Sequence, residues 1–281
     1  MRDPTFPPDA WTPTLIRRGI DTTIESSTRP TFVATDEGNA YVKWPDNLQG
    51  PPALSSELIG TGLAQWFGLE TFPYCVFDAI PVDAFPDSHD ETPTPVFATQ
   101  EVHGEPWNGD DGLLTKVENL DDISWLVVFD TFACNYDRHR PCVIAGQPSA
   151  HLNERNVFLS ENAAEGRFRF RVYDHTLCEF ALMDASDGDQ WRGKIKDPTV
   201  YGLFPQFRPY LAREQVAAAA AKLATLDAGT IDAIVDAVPT QWIQQTDTPI
   251  HWKEFIEKRA AYVADTIESK LFPQFEIPYE D

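Results

Sequence analysis

The sequence predicts an α+β fold in two lobes, a mostly β first lobe carrying one helix (residues 1–105) and a mostly helical second lobe (residues 106–281). Three observations predict it. The first hundred or so residues are rich in Pro and Thr and hold short β-type runs such as "TFVAT" and "AYVKW". Within them a single stretch, "PPALSSELIGTGLAQWFGLE", carries apolar residues at three- and four-residue steps, the spacing of one helical face. From about residue 210 onward the helical pattern dominates, through "REQVAAAAAKLATLD", "GTIDAIVDAV" and "HWKEFIEKRAAYVADTIESKLF".

Taken in order, "DEGN" supplies turn chemistry between the two β runs, so 31–44 reads as a hairpin. Lys43 lies in its second strand, between Val42 and Trp44. The helix then places Leu54, Leu58, Ile59, Leu63, Trp66 and Phe67 on its apolar positions, Glu57 in its first turn and Gly68 at a left-handed cap. Residues 72–82 and 95–102 read as strands joined by an acidic, Pro-rich loop, 83–94. After "HGEPWNGDDG" the run "ISWLVVFDTFAC" is apolar nearly all round, which predicts a buried helix over 120–134 capped by Asn119, Asp121 and Asp122. Asp130 within it reads as a structural acid that accepts backbone N–H bonds from the following loop. Residues 138–155 read as a polar loop, with His139 bracing it. "NVFLS" and "RFRFRVYD" then form two strands around "ENAAEG", Phe168, Phe170 and Val172 alternating with a solvated Arg167, Arg169 and Arg171. Trp242 and Trp252 read as core anchors.

Composition narrows the partners. The chain has 281 residues and a net charge of −22 from 44 acids against 22 bases. No nucleic-acid surface or anionic-membrane surface is expected from that balance, because phosphates need a basic patch. A nucleotide remains compatible, since a divalent ion and a few local cations screen it. Cys75, Cys134, Cys142 and Cys178 show no metal-type spacing, so reduced thiols in a cytoplasmic protein are the expectation. "MRDPTFPPDAWTP" does not read as a signal peptide, and "WLVVFDTFAC" is too short to cross a bilayer.

The chemistry gathers at "NYDRHRPCVIAGQPSAHLNERNVFL" and "RFRFRVYDH". In an antiparallel pair, the residue before one strand and the residue after its partner lie at the same end. Asn156 and Asp174 hold those positions. Their oxygens are hard ligands suited to Mg²⁺, which takes the rest of its shell from water and phosphate. Asn156 is preferred because an apolar strand follows it directly; Asn153 is the alternative. Asp137, at the foot of the buried helix, could meet an incoming hydroxyl. From the sheet lobe, Lys43 and the helix acid Glu57 would aim an ammonium group at phosphate oxygens.

Strand Lys, helix Glu, "FDTFACNYDRH", "NVFL", "YDH" and the later "AVPTQW…FIEKRAAYV" together resemble the HipA-like kinase family, distant relatives of the phosphatidylinositol kinases and of the protein-kinase fold. The resemblance spans most of the chain. It implies a bilobal protein-kinase-like fold using ATP and Mg²⁺, with Asp137 as the catalytic aspartate, Asn156 and Asp174 as metal ligands, and Lys43 and Glu57 as the phosphate-orienting pair. It places Ser26, Ser27 and Thr28 in the phosphate-covering loop. It places Gln100, Glu101 and Val102 in a hinge that meets the adenine edge through the backbone. HipA itself is a Ser/Thr protein kinase, which implies a protein hydroxyl as acceptor.

Two departures stand out. Eighteen residues separate Asp137 from Asn156, where the family's gap is short, and "ESSTRPTF" contains no glycine. Both favour a rival reading, a non-catalytic nucleotide-binding scaffold, which the presence of all five polar positions disfavours. A third reading, a metal-dependent phosphoesterase, would pair His175 with His139 or His151.

Overall fold

The computed structural model describes residues 11–23, 28–77, 94–185 and 188–273. Strands β1 (Ile16–Thr23), β2 (Thr31–Thr35), β3 (Gly38–Lys43), β4 (Tyr74–Phe77) and β5 (Val96–Gln100) form one antiparallel sheet in the order β1-β2-β3-β5-β4. The 31–44 hairpin is present, turning at Asp36 and Glu37 into Gly38 at φ 104. Strand β1 has no counterpart in the sequence reading, because its register shifts twice against β2 and the period-two signal is broken. Most of the expected 83–94 loop lies outside the described residues.

Alternation along β3 decides where its lysine goes. Ala40 and Val42 turn to a small core with Trp11, Val33, Val96 and Ala98. Lys43 lies opposite Phe97, which packs in the main core on the other face. Against that face lies α1 (Pro51–Phe67), with 15 of its 17 residues buried. Two prolines open it and Gly68 closes it at φ 96, its N–H bonding the Ala64 carbonyl. The helix therefore begins earlier than its apolar period suggests, and Glu57 sits in the second turn rather than the first.

The rest of the chain is built on α3 (Asp121–Ala133), which follows the short α2 (Asp111–Leu114) and is buried from Asp122 onward. Its expected cap does not form. Asn119 instead accepts from the Phe170 N–H at 2.7 Å and donates to the Phe170 carbonyl at 2.9 Å. That fastens α3 to a three-stranded sheet of β10, β9 and β6, namely β6 (Gly104–Pro106), β9 (Val157–Ser160) and β10 (Arg169–Val172). Arg169 and Arg171 are not a free solvated stripe, since both pair with Glu70 and Arg171 also donates to the Thr71 carbonyl at 2.6 Å.

Residues 139–152 are a β-ribbon, not an irregular loop. Strands β7 (His139–Ile144) and β8 (Gln147–Leu152) pair over their whole length around Ala145 and Gly146, both left-handed at φ 50 and 79. Pro141 and Pro148 hide the strand signal. Proline is tolerated here because both strands are edges.

The C-terminal half is helical: α4 (Glu179–Ala185), α5 (Trp191–Lys194), α6 (Arg213–Leu223), α7 (Ala228–Val235) and α8 (Thr248–Leu271). Trp242 and Trp252 are fully buried, and their indoles donate to the Pro95 and Phe180 carbonyls. Arg259 on α8 is also fully buried and donates to the carbonyls of Thr131, Ile195 and Asp197. Through its two terminal nitrogens this buried guanidinium ties the end of α3, with Ile195 and Asp197, to α8. No described helix is long and apolar enough to cross a membrane.

Candidate active site

The sheet, α1 and the β9–β10 hairpin meet at one ammonium group. Lys43 Nζ lies 3.1 Å from Glu57 Oε2 and 3.3 Å from Asp174 Oδ1. Glu57 Oε2 also accepts the His175 N–H at 2.9 Å, and the Ser56 hydroxyl donates to the His175 carbonyl at 2.6 Å. Two adjacent residues of α1 thus clamp the backbone after Asp174. Gly60 completes the fit, because a Cβ there would lie 2.4 Å from the His175 Cβ. His175 is fully buried edge-on against Phe129.

Asp174 adopts φ 60, which aspartate tolerates better than most side chains, and its Oδ1 accepts the Thr176 hydroxyl at 2.8 Å. Burial works against the charge on Lys43, but the Asp174 and Glu57 carboxylates outweigh it and raise its pKa. Burial also opposes ionisation of Asp174, where Lys43 and Thr176 win and lower the pKa. At Glu57 burial prevails over Lys43 and raises the carboxyl. With two donors on one oxygen, the ammonium and the His175 N–H, we take Glu57 as ionised.

A second cluster surrounds Asp137. Its Oδ2 accepts from Asn156 Nδ2 at 2.6 Å and Asn153 Nδ2 at 3.3 Å, and its N–H donates to Asn135 Oδ1 at 3.0 Å. Its other oxygen, Oδ1, faces His151 Nε2 of the ribbon at 3.5 Å. Both candidate asparagines therefore reach the same carboxylate. Asn156 is buried, and the 3-10 turn Glu154–Asn156 leads directly into β9.

Arg138 joins the two clusters. Fully buried, it donates through Nε to the Asn156 carbonyl at 2.9 Å and through Nη2 to the Tyr173 carbonyl, and it pairs with Asp130. The sequence pattern assigns Arg138 no role, yet one guanidinium holds the backbone beside both proposed metal ligands. Asp130 is structural as expected, but its side chain serves Arg138 and Asn135 rather than backbone N–H groups. Burial raises its carboxyl against the pull of Arg138.

Asn156 and Asp174 each keep an oxygen of the kind a hard divalent ion takes. Asn156 uses its amide nitrogen on Asp137, leaving its carbonyl oxygen, and Asp174 Oδ2 accepts no hydrogen bond among the described residues. The histidine alternative finds no such set. His175 and His139 are buried, and no described group of three or more His, Cys, Asp or Glu could hold a metal.

The remaining expected residues fall as follows. Thr28 is buried, and Ser26 and Ser27 lie outside the described residues. In the hinge segment the N–H groups of Gln100 and Glu101 bond the Pro73 and Asn39 carbonyls at 2.8 and 2.9 Å. Among the three, the Val102 N–H has no backbone partner among the described residues.

No protein-family model and no curated protein sequence matches the chain. A solved structure does, the crystal structure of a Helicobacter pylori proinflammatory kinase, CtkA. The likeness covers 93% of this chain and 96% of that one, at a TM-score of 0.55 and 13% identity. Likeness at that identity concerns the fold. The chain has a kinase-like fold, with an antiparallel-sheet N-terminal region and a helical C-terminal region.

Proposed function

We propose that this protein is a HipA-like kinase that transfers the γ-phosphoryl group of Mg·ATP to a hydroxyl, with Ser or Thr of a protein as the acceptor. The observation that carries the reading is a lysine ammonium held between a helix glutamate and Asp174, with Asp137 and Asn156 in the adjoining cluster. Lys43 would bind phosphate oxygens, with Glu57 fixing its direction. Asn156 and Asp174 would hold Mg²⁺, which supplies charge neutralisation to the phosphates. Asp137 would orient the acceptor hydroxyl and take its proton as the acceptor oxygen bonds to phosphorus and the bond to ADP breaks. Positioning and preorganised charge supply most of the acceleration in such a transfer. Residues Ser26, Ser27 and Thr28 would cover the phosphates, and Val102 is the best-placed hinge donor for the adenine edge. A cytoplasmic setting belongs to this reading, in which Cys75, Cys134, Cys142 and Cys178 would stay reduced.

The absence of glycine from "ESSTRPTF" favours the second reading, a nucleotide-binding scaffold. Mass spectrometry of the protein after incubation with Mg·ATP separates them. A gain of one phosphate that disappears in Asp137→Ala supports transfer. Thermal stabilisation by Mg·ATP without any phosphate gain or ADP production supports the scaffold. Neither binding nor transfer would remove both.

A further inference from the structure

A cavity of about 540 Å³ opens beside the catalytic loop, walled in part by Tyr136, Arg140, Leu182, Trp191 and Lys194. Tyr136 precedes Asp137, and Arg140 stands directly opposite His151 on the β7–β8 ribbon. Directly opposed residues of an antiparallel pair share a face. The ribbon face that lines the cavity is therefore the face whose histidine meets Asp137 Oδ1. The two asparagine amides take Asp137 Oδ2, whereas Oδ1 faces only His151 among the described residues, at 3.5 Å, so the ribbon side is the less encumbered approach for an acceptor hydroxyl.

The charges on this face differ from those of the whole chain. Arg140 and Lys194 both lie over the Tyr136 ring, at 5.6 and 5.3 Å from its centre. Lys194 is paired with Asp197 at 3.2 Å, whereas Arg140 is exposed and makes no ion pair among the described residues. The acid in the wall, Glu179, is engaged by the Tyr136 hydroxyl. Residues 139–152 contain no Asp or Glu, in a chain of net charge −22. Repulsion from that net charge is screened beyond roughly 8 Å at physiological salt, so the cation in contact decides which guest is favoured. Prolines on both ribbon strands discourage a third strand. A guest is read here by side chains.

We infer that this cavity is the acceptor subsite and that it takes a polypeptide segment whose serine or threonine is flanked by acidic residues, one carboxylate pairing with Arg140. Its role as an acceptor subsite rests on the phosphotransfer reading; the preference for an acidic guest does not.

Fluorescence anisotropy of two labelled peptides against the full chain tests the preference. One peptide has glutamates on both sides of a single serine, and the other has lysines there. Wild type is expected to favour the glutamate peptide. Arg140→Gln should weaken that peptide by up to about fivefold and Arg140→Glu by about tenfold, the size of one exposed ion pair lost and then reversed. Equal binding of the two peptides by wild type, or an unchanged preference in both variants, overturns the inference. Mass spectrometry with Mg·ATP reads the second half. Phosphate on the glutamate peptide, reduced through KM rather than kcat in Arg140→Gln, supports the acceptor role. Phosphate on the lysine peptide alone refutes the inference and upholds phosphotransfer. Selective binding with no phosphate on either peptide or the protein counts against phosphotransfer and keeps the acidic docking site.

Discussion

The two halves of the candidate site are built differently. Lys43 is held from two sides and its helix partner from the core: the lysine and Glu57 side chains are 12% and 3% exposed, Asp174 is 25% exposed, and α1 clamps His175 from two adjacent residues. Around Asp137 the inner oxygen is fixed by two asparagine amides, while the outer oxygen faces a histidine that is 48% exposed on a ribbon. The difference teaches that the lysine corner is part of the core, so its geometry is inherited from folding. The aspartate corner is half core and half appendage, so its outer side can change without rebuilding the protein.

Substitutions can break or sharpen that contrast, starting with the largest expected effect. On the phosphotransfer reading, Asp137→Ala is expected to lower turnover by about 10²–10⁴-fold while the thermal shift from Mg·ATP persists. Asp174→Asn should abolish both, because the ammonium and the metal site lose the same carboxylate. Unchanged ATP consumption in both purified variants would reject the assignment. Asp130→Ala leaves Arg138 buried without its acid and should cost about 3–5 kcal/mol of stability, read by denaturant unfolding. Gly60→Ala drives a methyl group into His175 and should cost about 1–3 kcal/mol, with weaker nucleotide binding as Asp174 shifts. At the ribbon tip Val143 is 72% exposed, and Val143→Ser should change stability by less than about 0.5 kcal/mol. A tip substitution as costly as the one at Gly60 would erase the distinction between core and appendage.

Much of this was legible in the residues, and the reasons are specific. The 31–44 hairpin had turn chemistry between alternating strands, α1 had its apolar spacing and glycine cap, and the β9–β10 hairpin had a strict Phe/Arg alternation. Lys43 and Glu57 could be paired in advance because a strand and the next helix bring them to one face. Arg138 could not, since its partners at Asp130, Asn156 and Tyr173 come from three separate elements. The ribbon was hidden by Pro141 and Pro148, which depress strand propensity but are harmless on an edge. The two faces, Arg140, Cys142 and Ile144 against His139, Pro141 and Val143, show no polar–apolar contrast, so no period-two pattern marked the strand.

By itself the sequence determined the class of fold and most of its elements, β1 and the β7–β8 ribbon excepted, because periodicity and short-range turn chemistry are local properties. Only the tertiary structure decided that Glu57 also grips the His175 backbone, that Arg138 holds the backbone at both Asn156 and Tyr173, and that the ribbon sets His151 against Asp137. Those contacts join residues up to 118 positions apart, and packing rather than local pattern chooses which buried donor meets which acceptor.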